Sequence, residues 1–216
     1  QGSFFTDENM PWAVPYPLEQ YDGLVTYCDP AFGESGKGSY KCIALVGKKK
    51  HYYDVLWVWL RQKGNWVKAH RYIAQAIGTI PQIPCNKHFL EKVKGRIKHW
   101  VEANELQRTE LRKTYQIENL NHSAPWYPHY DRDKKPEKIG RIENLEPLAN
   151  HGHLRFNSYL KGNKDMMKLR EHFKSFPTGF IDGADTIQGA KTKLDQMTRQ
   201  QSKKIRTGKY NKQNRK

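Results

Sequence analysis

Apolar residues recur along this chain in short runs separated by polar, glycine- or proline-bearing breaks. Leu24 to Cys28 is apolar enough to be buried on both faces, and it closes on Asp29 and Pro30. Proline has no amide hydrogen for a sheet ladder, so the run predicts a buried strand that stops there. A loop with three glycines follows, Ala31 to Ser39. Tyr40 to Gly47 and His51 to Arg61, rich in Val, Tyr and Trp, predict two more strands joined by a lysine turn. Three consecutive strands with short turns make an antiparallel meander. Trp66 to Ile77 changes period: Trp66, Ala69, Ile73, Ala76 and Ile77 share a helical face.

Beyond it, Phe89 to about Ile97 predicts a short helix, and Lys98 to Glu102 a strand ending in an acid. Glu105 to Tyr115 reads as a helix, 121–138 as a polar loop, and Gly140 to Ala149 as one short helix. Leu154 to Phe156 is a short strand, and Met166 to Phe176 an amphipathic helix closed by Pro177. Asp182 to about Gln200 is the last helix, with Ile187, Ala190, Leu194 and Met197 on one face. A meander followed by strands alternating with helices predicts an α/β fold with a mixed sheet flanked by helices. Residues 1–20, with Pro11, Pro15 and Pro17 among aromatics, are expected as an extended arm or linker, 21–198 as the domain, and 199–216 as a disordered tail.

Charge narrows the partners. The formal net charge is +16, and eight Lys or Arg without an acid lie between Arg199 and Lys216, so 16 − 8 leaves +8 on the rest. A basic chain of this kind suits a polyanion, with nucleic acid the default. No apolar run approaches the roughly 20 residues of a membrane helix. Three cysteines, Cys28, Cys42 and Cys85, are an odd number at irregular spacing, which argues against a disulfide framework and suits a reducing cytoplasm.

Three acids stand at element ends: Asp29 and Glu102 after strands, Asp182 before a helix, with Asp185 three residues on. Carboxylates converging from distant segments suit hard divalent cations such as Mg²⁺. Two such ions roughly 3.5–4 Å apart activate water and steady the leaving oxygen of a phosphodiester. The same residues fit plainer roles: Asp29 opening a turn, Asp182 capping its helix with Asp185, Glu102 on the surface. Gly33 to Ser39 is not a phosphate-binding loop, because Ala31 replaces the first required glycine and Gly38 follows Lys37. Cys85-Asn86-Lys87-His88 supplies half a zinc spacing, and His151-Gly152-His153 is a poor second half.

Four segments, Asp29-Pro30-Ala31-Phe32-Gly33, Val101 to Gln107, Lys138 to Leu148 and Phe176 to Asp185, resemble in order the nuclease segments of bacteriophage terminase large subunits. The resemblance implies a ribonuclease-H-like fold and Mg²⁺- or Mn²⁺-dependent endonuclease action on double-stranded DNA with two ions. Asp29, Glu102 and Asp182 would be metal ligands, Asp185 a fourth or supporting acid, with the principal ligand of the last pair left open. Lys37, Lys134, Lys135, Lys138 and Arg141 would meet the phosphate backbone, although a solvated helix start explains the last four as well. It further implies a packaging ATPase domain, a portal and a small terminase subunit as partners, in the cytoplasm of a bacterial host. A junction-resolving nuclease and a non-catalytic DNA-binding module are the rival readings.

Overall fold

The computed structural model describes residues 4–30, 39–103, 126–130 and 137–213, without the side chains of 103, 126–130 and 201–213. Strands β1 (Trp12–Ala13), β2 (Gly23–Asp29), β3 (Lys41–Lys49), β4 (Tyr52–Arg61), β5 (Lys98–Ala103), β6 (Trp126–Tyr130) and β7 (Leu154–Asn157) form one sheet. Their order is β1-β7-β4-β3-β2-β5-β6. The predicted meander is β2-β3-β4, antiparallel throughout. β5 joins β2 in parallel, β6 joins β5, and β7 and β1 extend the other side in parallel. The mixed sheet expected from the sequence is the observed one.

Helices cover both faces. On one lie α1 (Trp66–Ala76) and α2 (Leu90–Arg96), and on the other α5 (Lys164–Lys174) and α6 (Asp182–Gln213). The short helices α3 (Lys138–Glu143) and α4 (Glu146–Asn150) lead from β6 towards β7. Strand alternation sorts the core: Val25 and Tyr27 of β2 belong to the α5/α6 side, Leu24 and Cys28 to the α1/α2 side. All three cysteines are free thiols.

Thr26, on the α1/α2 side, is fully buried. Its hydroxyl bridges His70 Nε2 of α1 at 2.6 Å and His99 Nδ1 of β5 at 2.8 Å. Thr26→Val keeps the shape and removes both bonds, so denaturant titration is expected to show a loss of about 2 kcal/mol. On the other side Asp195 of α6 accepts from Lys48 (2.5 Å), Lys191 (2.9 Å) and the Tyr53 hydroxyl. Burial works against its charge, yet these donors prevail and hold its carboxyl at about 2. The helix is thereby fastened to the β3–β4 hairpin.

Four expectations are corrected. The arm expected over 1–20 is packed into the domain: Phe5, Met10 and Leu18 are fully buried, and β1 pairs with β7. Arg170 of α5, itself buried, donates to the Met10 carbonyl and to Asp7 and stacks on Trp12. The loop expected over 121–138 contains β6, and the single helix expected over 140–149 is two, divided at Asn144 and Leu145. The tail expected to be disordered from 199 continues α6 as far as Gln213. The helix expected over 105–115 lies outside the described residues. Among the described residues no helix is long and apolar enough to cross a membrane.

Candidate metal centre

The centre starts from strand register. β2 and β5 run parallel with Val25 beside Lys98 and Cys28 beside Val101. One step further along both strands, Asp29 stands beside Glu102. Parity then places both side chains on the α5/α6 face, because Tyr27 and Trp100, two residues earlier on each strand, belong to the core on that side. A parallel pair thus presents two carboxylates at its carboxyl end.

The third carboxylate comes from α6. Gly189 lies so close to the sheet that a β-carbon there would fall 2.5 Å from the Tyr27 ring. Asp185, one helical turn earlier, therefore projects beyond Tyr27 to the level of Asp29. Ligand oxygens of Asp29, Glu102 and Asp185 lie within 4.8 Å of one another. Tyr27 registers the same convergence: burial, then the charges of Glu102, Asp29 and Asp185, push its hydroxyl well above its ordinary value.

Asp182 is directed elsewhere. It accepts from the backbone N–H of Tyr40 at 2.9 Å and from Lys138 Nζ at 2.6 Å. The resemblance made Asp182 a ligand and Asp185 a fourth or supporting acid, with the principal one of the pair left open; in the structure it is the Asp185 carboxylate that lies within 4.8 Å of those of Asp29 and Glu102. Lys138 and Arg141 of α3 face these acids. Lys138 lies 3.7 Å from Asp185, and Arg141 donates to Asp185 at 3.0 Å. Burial opposes the charge on Lys138, but its bond to Asp182 and the nearby Asp29 and Asp185 outweigh that and raise its pKa above the ordinary lysine value. Four carboxylates and two cations leave these six side chains a formal −2. Close oxygen donors with that residual charge fit one or more hard divalent cations.

His172 of α5 props the amino end of α6, its Nδ1 accepting from the Gly183 N–H at 3.2 Å. That bond requires the unprotonated ring. Burial pushes His172 down to about 4, against an opposing pull from Asp182. Its folded-state value thus lies below the unfolded one near 6.5, so the unfolded chain takes the proton first as pH falls. The contribution is complete above about pH 6.5 and is lost towards pH 4, on the order of 3 kcal/mol in total. Denaturation midpoints are expected to fall between pH 7 and pH 4.5, and to fall less in His172→Gln.

Lys37, Lys134 and Lys135 lie outside the described residues. Lys138 and Arg141, expected from the resemblance to meet phosphate, stand beside the acid cluster. The half zinc spacing finds no support: among the described residues the carboxylate trio is the metal-type cluster found. Tyr40, His172 and Gly189 escaped the sequence reading. Only Gly189 left a trace, a glycine among the apolar positions of a helix.

No protein-family model matches the chain, and no curated relative does. Solved structures match it in fold. The Mn-soaked nuclease domain of the human cytomegalovirus terminase superposes with a TM-score of 0.56 at 14% identity, over 87% of this chain and 94% of that one. The large terminase nuclease of thermophilic phage G20c gives 0.50 at 11% identity, over 87% and 96%. The P22 large terminase nuclease domain gives 0.50 at 15% identity, over 87% and 90%. The chain has the fold of terminase nuclease domains over nearly their whole length.

Proposed function

We propose that this chain is the nuclease domain of a terminase large subunit and cuts double-stranded concatemeric DNA during genome packaging. The observation that carries this reading is the convergence of Asp29, Glu102 and Asp185 on one point of a sheet with this fold. These three carboxylates would hold Mg²⁺ or Mn²⁺, two ions in the full arrangement. Such cations supply Lewis-acid polarisation of the scissile phosphodiester and of the attacking water. The chain's own residues do the positioning. Asp29 and Glu102 are fixed by the β2–β5 register, and Asp185 by the contact of Gly189 with Tyr27. Lys138 and Arg141 offset the mutual repulsion of the acids and would turn towards phosphate when cations take over that task.

The parent protein would add the packaging ATPase domain and engage a portal and a small subunit in the bacterial cytoplasm. The cut would be made where packaging begins and where the head is full.

Supercoiled plasmid tests the reading. Nicking and linearisation are expected with Mn²⁺ or Mg²⁺ and none in EDTA. Glu102→Gln should be inactive while keeping its fold by circular dichroism. Salt-sensitive DNA binding with no cleavage under any cation would leave only a basic DNA-associating module.

A further inference from the structure

We propose that an unpaired stretch of DNA binds along a cationic, aromatic track that leads from the acid cluster around the end of the sheet onto the α1 face. The proposal rests on the reading of the chain as a DNA-cutting domain and adds a second contact surface to it.

The sheet register defines the track. Asp29 pairs with Cys42, and Cys42 with Leu60. Leu60 and Arg61 therefore lie at the same sheet end as Asp29, two strands away, or roughly 10 Å at the usual strand spacing. Tyr40 starts the path, with its backbone N–H on Asp182 and its hydroxyl accepting from Lys168 at 3.2 Å. A pocket of about 410 Å³ continues it, lined by Tyr40, Lys164, Lys168, Arg61 and Lys63. A second pocket, of about 570 Å³, shares Arg61 and Lys63 and opens on Trp57, Trp59, Tyr72 and Lys68. The two pockets thus adjoin at Arg61 and Lys63.

The chemistry of the track selects the ligand. Five cations line the two pockets against one acid, Asp165, which is paired with Arg61. At the far end the Trp57 and Tyr72 rings stand 6.3 Å apart, and Tyr72 is 55% exposed. Lysines at intervals follow a phosphate backbone, and open aromatic faces stack on bases. A duplex keeps its bases stacked inside and offers these rings nothing. An unpaired strand, such as a frayed end beside a cut, offers both groups at once.

The test uses the whole chain in EDTA, so that no strand is cut. The probes are fluorescein-labelled dT12 and a 12-base-pair duplex, read by anisotropy. Binding of dT12 is expected to quench tryptophan fluorescence. Tyr72→Ala should weaken dT12 about tenfold, with Tyr72→Phe restoring most of it, while duplex affinity moves less than twofold. Lys63→Ala with Lys68→Ala should lower the salt slope for dT12 by about 1.4. Variants that bind dT12 like the parent, or that lose dT12 and duplex equally, overturn the track. Plasmid cleavage in Mn²⁺, measured alongside, separates the two readings. Cleavage with unchanged dT12 binding sinks the track alone, and the expected dT12 pattern without cleavage sinks the nuclease alone.

Discussion

Asp29→Asn is expected to lower plasmid cleavage about a thousandfold or more and, without divalent cations, to make the chain slightly more heat-stable than the parent. The two effects share one cause. The oxygens of Asp29, Glu102 and Asp185 lie within 4.8 Å of one another. At an effective dielectric of about 20, each carboxylate pair at that separation repels by ~3 kcal/mol. Lys138 and Arg141 relieve part of this. Removing the Asp29 charge should therefore return a net ~1 kcal/mol, or about 2–4 °C in a domain of this size. In the proposed nuclease, the same charge would help hold a cation that would supply several kcal/mol of transition-state stabilisation, which sets the expected thousandfold loss. Calorimetry with and without Mn²⁺ should show the parent gaining melting temperature from the ion and Asp29→Asn gaining little. Undiminished cleavage by the variant would remove Asp29 from the centre.

Gly189→Ala should be the most damaging alanine substitution of a helical glycine. In an open helix interior this change stabilises by up to about 1 kcal/mol. Here the new methyl meets the fully buried Tyr27 ring at 2.5 Å, which has nowhere to retreat. Overpacking of this kind costs about 1–3 kcal/mol and moves the helix. Asp185, one turn away, would move with it, and a displacement near 1 Å can cost about a hundredfold in rate. Gly95→Ala in α2 is the control, since a β-carbon there has open space. It is expected to leave cleavage intact and raise stability slightly. Equal behaviour of the two variants in melting and cleavage would show that the Gly189 contact does not position the centre.

The elements visible in the sequence were those whose patterns are local. The apolar run into Asp29, each strand of the meander and the helix beginning at Asp182 are legible within a dozen residues or so. β6 did not, because Trp126–Tyr130 is short and contains Pro128, which survives at the edge of the sheet where a ladder hydrogen bond can be missing. The break between α3 and α4 was signalled only by Pro147, which fits the first turn of a new helix. The proline-rich arm looked exposed because its covering partners, Arg170 and Phe173, lie about 160 residues away.

By itself the sequence determined that three acids end or begin buried elements, and that the chain is basic enough for a polyanion. Only the tertiary structure decided which acids meet. Asp182 and Asp185 lie on the same helix about 4.5 Å apart along its axis, and local patterning treats them alike. The depth at which Gly189 docks on Tyr27 sets Asp185 level with Asp29 and leaves Asp182 over Tyr40. Strand register and helix docking are contacts between distant segments, so no window of sequence contains them.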